Sequence, residues 1–175
     1  MDARLELKEL MLHRPRLTLA AAESMTCGHV QAAVGAVSGA SNFFRGGITA
    51  YALDEKVRHL GVERAVARRV NCVSASVAEQ MARGVCRLFG SDLGVATTGY
   101  AEASPADGVG DPFAWWAIAH RQGCHPMDDK QPRGRAVSVR SGRVECPGAT
   151  RVDAQRFVAD AVVAELIAYL REVRR

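Results

Sequence analysis

The chain has 175 residues, enough for one domain with a full core, and 48% of them are apolar. No uninterrupted apolar run approaches the roughly 20 residues that a membrane span needs. The formal net charge of +4 rests on arginines spread along the chain, with clusters at Arg68-Arg69, Arg133 to Arg143 and Arg171 to Arg175. They are not gathered with aromatics on one basic face, which argues against a nucleic-acid partner.

The opening Met1-Asp2-Ala3-Arg4-Leu5-Glu6 alternates charge and lacks the apolar core of a signal peptide, so the expected location is the cytoplasm. A first helix is expected from about Arg4 to His13. Leu17 to Ala22 then reads as an apolar strand. It ends in the polar cluster Glu23, Ser24 and Thr26, and a helix from Gly28 to Val37 follows. A strand that hands over to a helix in this way builds an anion- or oxyanion-binding corner, because the first helical amides are unpaired. Ser24 at that corner is either a nucleophile or an N-cap. Cys27-Gly28-His29 invites a thiol nucleophile as well, but His29 falls inside the helix and Cys27 is the weaker candidate.

Ile48, Ala50 and Ala52 alternate with Thr49 and Tyr51, which predicts a strand near Ile48 to Leu53 after the Gly46-Gly47 pair. Asp54 is the expected N-cap of a short helix from Glu55 to Leu60, closed by Gly61. Lys56 falls in its first turn, where the helix dipole would lower its pKa and favour a neutral amine that can act as a base. The alternative is a solvated lysine on a polar face. A long helix follows from Ser76 to Phe89. Strands are expected at Leu93 to Thr98, ending in a Thr-Gly turn, at Phe113 to His120, and at Ala136 to Cys146, the last broken at Ser141-Gly142. Gly123 to Gly134 reads as a mobile loop. The final helix is expected from Val152 to Arg174, with an apolar stripe of Phe157, Ala161, Val162, Leu166, Tyr169 and Leu170. This alternation predicts helices on both faces of a central sheet in a single α/β domain.

The five cysteines are Cys27, Cys72, Cys86, Cys124 and Cys146. Their odd number and irregular spacing suit reduced thiols rather than a disulfide framework or a zinc site. Cys124-His125 falls in the polar stretch Arg121 to Arg135 and reads as bland.

Several motifs recur in a fixed order: Ala22-Glu23-Ser24-Met25-Thr26-Cys27-Gly28, then Gly39-Ala40-Ser41, Phe44, Gly46-Gly47, Tyr51 and Lys56. Gly61-Val62, Val73-Ser74 and Thr98-Gly99-Tyr100-Ala101 follow. In this the chain resembles the CinA C-terminal domain family, the nicotinamide mononucleotide deamidases of the PncC type. The resemblance implies a three-layer α/β/α sandwich with a central mixed, mostly parallel sheet. Two-domain members of the family carry an additional N-terminal domain, which is not expected here because the Leu17 strand comes so early. Two departures stand out. Cys27 occupies a glycine position of the family's T-G-G. After Ala101 the family's Gly-Pro and glycine-rich loop are replaced by Glu102 to Pro112, which marks a divergent subgroup.

The implied reaction is hydrolysis of the carboxamide of nicotinamide mononucleotide to nicotinic acid mononucleotide and ammonia. By resemblance Ser24 is the nucleophile and Lys56 the base, a Ser-Lys variant of the nucleophile–base pair. Ser41 would relay the proton or orient Lys56. Tyr51 would stack or hydrogen-bond at the pyridine, and Thr98, Gly99 and Ala101 would supply donors and walls. Arg151 matches the arginine of the family's G-D-R motif and would hold the phosphate. No metal or other cofactor is required by this chemistry, and a homo-oligomer is expected. An amidohydrolase on a related substrate and a non-catalytic nucleotide-binding or interaction module stay in competition. Glu102 is expected at the rim of the pocket, altering substrate preference; the alternative is a loop that swings away and leaves Glu102, Asp107 and Asp111 solvated.

Overall fold

The computed structural model describes residues 2–121 and 137–175. Helix α1 spans Ala3–Leu12, with Asp2 as its N-cap accepting from the Arg4 amide. Strand β1 is Leu19–Glu23, α2 is His29–Gly35, and a 3₁₀ turn, Ala40–Asn42, leads into β2, Phe44–Thr49. Helices α3 (Leu53–Leu60), α4 (Arg64–Arg69) and α5 (Ala75–Phe89) follow. Then come β3 (Leu93–Tyr100), β4 (Phe113–Arg121), β5 (Val137–Glu145) and α6 (Arg151–Val173).

The strands form one sheet in the order β2-β1-β3-β4-β5. β1 runs parallel to β2 and β3, while β4 is antiparallel to both β3 and β5. The sheet is mixed, as expected, and only β4 points against the others. Successive strand residues face opposite layers. Leu19 and Ala21 join a core with Leu7 of α1, Val34 of α2 and Leu166 of α6. Ala20 and Ala22 join a second core with Leu60 of α3, Ala67 of α4 and Met81 of α5. The result is a three-layer α/β/α sandwich.

The two faces are packed differently. Under α5 the sheet presents mostly alanine, with Ala20, Ala22, Ala96, Ala117 and Ala119 buried. The helix therefore lies very close to the strands. A Cβ added at Gly94 would sit 2.3 Å from the Ala82 carbonyl oxygen of α5; α5 is equally close to α3, where a Cβ at Gly84 would sit 2.1 Å from the Leu60 carbonyl oxygen. The α6 face is built from larger side chains. Ala154, Val158, Val162, Leu166 and Leu170 recur every fourth residue and are all buried. Phe157, expected on that stripe, is 55% exposed, and Ala161 is only half-buried.

Other boundaries also moved. The strand expected near Ile48 to Leu53 is Phe44–Thr49, and Gly46-Gly47 lies inside it. The glycines are there for clearance: a Cβ at Gly47 would lie 2.7 Å from the Ala21 carbonyl oxygen, and Gly46 has φ +122° against Phe89. Leu53 opens α3 instead, with Ala52 rather than Asp54 as N-cap. Asp54 sits one residue inside the helix and pairs with Arg64 at 2.5 Å. β3 continues through Gly99 to Tyr100 rather than turning after Thr98. β5 is unbroken at Ser141-Gly142, where Gly142 makes room for the Trp116 ring. The expected loop at Gly123 to Gly134 and the Cys124-His125 pair lie outside the described residues. Among the described residues no helix is long and apolar enough to cross a membrane.

Candidate active site

The carboxyl ends of β1, β2 and β3 share one sheet edge, where α/β sheets place their ligand crevices. The ladders run one residue past the strands there: the Ser24 amide donates to the Thr97 carbonyl, and the Ala50 amide to the Glu23 carbonyl. Ser24 is thus held by main-chain bonds directly beyond the end of β1.

The corner itself is closed by Glu23. Its side chain is buried, and one carboxylate oxygen accepts from the Thr26 hydroxyl at 2.6 Å, the Gly28 amide at 2.9 Å and the Val30 amide at 3.0 Å. The other oxygen accepts from the Gln31 amide at 2.8 Å. The anion at the start of α2 is therefore the chain's own carboxylate, and the amides of Gly28, Val30 and Gln31 are not open to an external one. This also settles the role of Ser24 in the helix. The N-cap of α2 is Gly28, with no side-chain capping bond, so Ser24 is not a cap. Thr26 bonds onward to the Thr97 hydroxyl at 2.7 Å, which ties the corner to β3. Cys27 is exposed at φ +49°, a left-handed conformation that explains why glycine suits this position. The His29 Nδ1 lies 2.7 Å from the Thr26 carbonyl, an arrangement in which it donates to that oxygen rather than serving Cys27.

Lys56 reaches Ser24 from α3. Its Nζ lies 2.9 Å from the Ser24 Oγ and donates to the Tyr51 carbonyl at 2.5 Å. Lys56 is 1% exposed and Ser24 7%. Among the described residues no carboxylate pairs with the amine. Burial pushes its pKa below the ordinary 10.5, and the negative form of the Cys72 thiol works the other way. The depression expected from the helix dipole is therefore present with a different main cause.

Tyr51 links this buried pair to the rim. Its backbone carbonyl holds Lys56, while its phenol, on a residue 53% exposed, accepts from the Arg151 Nη2 at 2.8 Å. Arg151 opens α6 and comes from the opposite layer. Its Nη1 donates to the Glu102 carboxylate. The negative form of the Tyr51 phenol, and then Glu102, push the Arg151 pKa up. Glu102 is exposed and is bonded to Arg151, the residue expected to take a phosphate.

The remaining expected residues divide. Thr98 is buried and donates its hydroxyl to the Cys72 carbonyl at 2.7 Å, anchoring the turn before α5 rather than facing a ligand. Gly99 pairs with Ala114 across the β3–β4 ladder, where a Cβ would lie 2.2 Å from the Phe113 carbonyl oxygen. Ala101 is buried in the α6-side core. Ser41 is not brought to the site. It lies exposed before the first residue of β2, opposite Leu19 at the start of β1, whereas Ser24 follows the end of β1. A strand of that length separates them by roughly 15–20 Å. Glu23 was visible as part of a motif but given no role. The signal that identifies it is a helix opening on glycine, with no capping side chain of its own, shortly after a buried acid. Among the described residues no group of three or more His, Cys, Asp and Glu side chains converges as a metal site requires.

Comparison with known proteins agrees with this architecture. The CinA C-terminal domain family profile matches residues 4–144. A CinA-like protein of Chlorobium limicola is 36% identical over 164 residues, covering 93% of this chain and 36% of that protein. A CinA-like protein of Geobacter metallireducens is 43% identical over 111 residues, covering 62% of this chain and 26% of its own length. The chain thus spans about a third or less of these relatives. The crystal structure of a competence-damaged protein (CinA) superfamily protein from Enterobacter cloacae superposes with a TM-score of 0.82. It covers 97% of this chain and 90% of that one at 22% identity, a likeness of fold.

Proposed function

The chain belongs to the CinA C-terminal domain family, and from that premise we propose that it is a Ser-Lys amidohydrolase acting on the carboxamide of a pyridine nucleotide or nucleoside, of which nicotinamide mononucleotide is the first to test. The observation that carries the reading is the buried contact of 2.9 Å between Ser24 Oγ and an amine that has no carboxylate partner among the described residues. A lysine in water is protonated and useless as a base. One deprived of solvent and of a counter-charge has its neutral form favoured.

In the neutral form, Nζ donates one N–H to the Tyr51 carbonyl, which turns its lone pair toward Ser24. The Ser24 proton passes to Nζ as Oγ bonds to the amide carbon. The amides of Met25 and Thr26 follow the nucleophile and have no acceptor among the described residues, which supports them as donors to the oxyanion. The ammonium of Lys56 then gives its proton to the departing nitrogen, and ammonia leaves an acyl-Ser24 ester. Water attacks that ester, Lys56 takes its proton, and the same proton returns to Ser24 as the acid is released. Retention of the Ser24–Lys56–Tyr51 arrangement supports catalysis over a purely binding role.

The test is ammonia release by the purified protein from nicotinamide mononucleotide, its riboside and a panel of simpler amides. Release from a pyridine carboxamide is expected. Absence of release from every amide would overturn the reading.

A further inference from the structure

An enzyme that holds a nucleotide phosphate needs free positive charge or free amides for it, and a helix N-terminus is the usual source. Three such sources lie at this sheet edge, and the chain's own side chains already engage each of them, two through a carboxylate and one through a capping hydroxyl. The amides at the start of α2 are held by Glu23. The start of α6 is capped by Thr150, whose hydroxyl accepts from the Asp153 amide and donates to the Asp153 carboxylate at 2.6 Å. Arg151, in the same turn, has one terminal nitrogen on Glu102 and the other on Tyr51. Arg151, Glu102 and Asp153 together carry one positive and two negative charges.

We infer that Glu102 is a specificity-determining residue: it takes the guanidinium that a substrate phosphate would otherwise occupy and turns the site toward pyridine carboxamides bearing a ribose without a phosphate. The inference rests on the amidohydrolase reading for its choice of substrate. The backbone of Glu102 is held close to Arg151. It follows Ala101, which is anchored in the core, and comes two residues after the last residue of β3. A phosphate dianion arriving at Arg151 would meet that carboxylate at close range, and repulsion between like charges there is unfavourable even at a solvated rim. A pyridinium riboside carries a positive charge and no phosphate, so an acidic rim favours it. Arg151 then acts on the substrate indirectly, by holding the phenol of Tyr51, the residue whose carbonyl accepts from Lys56.

The test separates binding from turnover. Calorimetric titration of Ser24→Ala, which leaves the amide intact, is made with nicotinamide mononucleotide and with nicotinamide riboside, in the presence and absence of Glu102→Gln. Glu102 is 63% exposed on its side chain, so the substitution leaves folding intact. The riboside is expected to bind the Glu102 protein more tightly than the mononucleotide. Glu102→Gln is expected to raise affinity for the mononucleotide about tenfold, the factor given by about 1.4 kcal/mol, and to leave the riboside within about twofold. Equal gains for both ligands, no gain for either, or no binding of either ligand overturns the inference. If Ser24-dependent ammonia release occurs but Glu102→Gln leaves the affinity ratio unchanged, the amidohydrolase reading stands and the role of Glu102 falls. If the mononucleotide gains affinity while the protein with Ser24 intact releases no ammonia, the role of Glu102 stands and the amidohydrolase reading falls.

Discussion

The two edges of the sheet bury ionisable groups to opposite effect. At the amino edge Asp92 is buried, and one carboxylate oxygen accepts from the Thr18 amide at 2.8 Å and the Thr18 hydroxyl at 2.6 Å. Its own carbonyl accepts from Arg121 at 2.8 Å, so β1, β3 and β4 are pinned together there. Glu23 does comparable work at the carboxyl edge with four donors. Lys56, just as deeply buried and close by, has two acceptors and, among the described residues, no opposite charge. A buried ion fully matched by donors holds structure in place; a buried amine without a counter-ion is left with a destabilised charge and an available lone pair. The contrast teaches that burial alone does not mark a reactive group. The mismatch between burial and partners does.

The sharpest way to break that comparison is Ser24→Ala. It should lower ammonia release roughly 10⁴-fold or more, with the urea unfolding midpoint little changed because Ser24 caps no helix. A midpoint shift without loss of turnover would return Ser24 to a structural role. Next comes Lys56→Arg, which keeps the charge and cannot deprotonate in the working range. The parent's kcat/KM should rise with pH through the lowered pKa of Lys56, and the variant should lose both that rise and most activity. A variant with the parent's rate and pH profile would show that another group is the base. The same shift has a stability counterpart. The unfolded chain binds the Lys56 proton more tightly, so folding strengthens as pH rises from the lowered value toward 10.5.

Glu23→Ala tests the matched half of the comparison. It strands the α2 amides and should cost about 3 kcal/mol in urea unfolding, against about 1 kcal/mol for an ordinary cap. A loss no larger than a cap's would show that water replaces the carboxylate easily. The smallest expected effect is Cys27→Gly. Relief of a left-handed backbone should stabilise the fold by about 0.5–1 kcal/mol and leave turnover unchanged. Destabilisation would mean that the Cys27 side chain has contacts that matter more than its φ.

Much of this edge was legible in the sequence. The strand-to-helix corner at Ser24 and the lysine in the first turn of the helix after β2 follow from local order, while Arg151 and the gathering of the three follow from the motif resemblance; the structure links them through Tyr51. What sequence order does not carry is which end of a strand a residue lands on. Ser41 and Tyr51 flank the same strand, yet only Tyr51 reaches the site, because β2 runs between them. Placing β2 too late, after the Gly46-Gly47 pair, hid that separation. Those glycines are instead clearance for Gln31 and Phe89, a tertiary requirement. The commitments of polar side chains were also invisible. Thr98 turns inward to Cys72 and Glu102 turns to Arg151, and neither choice shows in propensity or period.

Gly84 gives the fold an unexpected form of leverage. It lies in the middle of α5, and its missing methyl lets the Leu60 carbonyl of α3 come within 2.1 Å of where a Cβ would be. Lys56 sits one turn earlier on the same face of α3 as Leu60. The depth at which α3 seats against α5 therefore sets how far the amine extends toward Ser24. A single hydrogen atom at Gly84, remote from the nucleophile, calibrates the reach of the proposed base, and a methyl in its place would lift α3 like a shim under a lever.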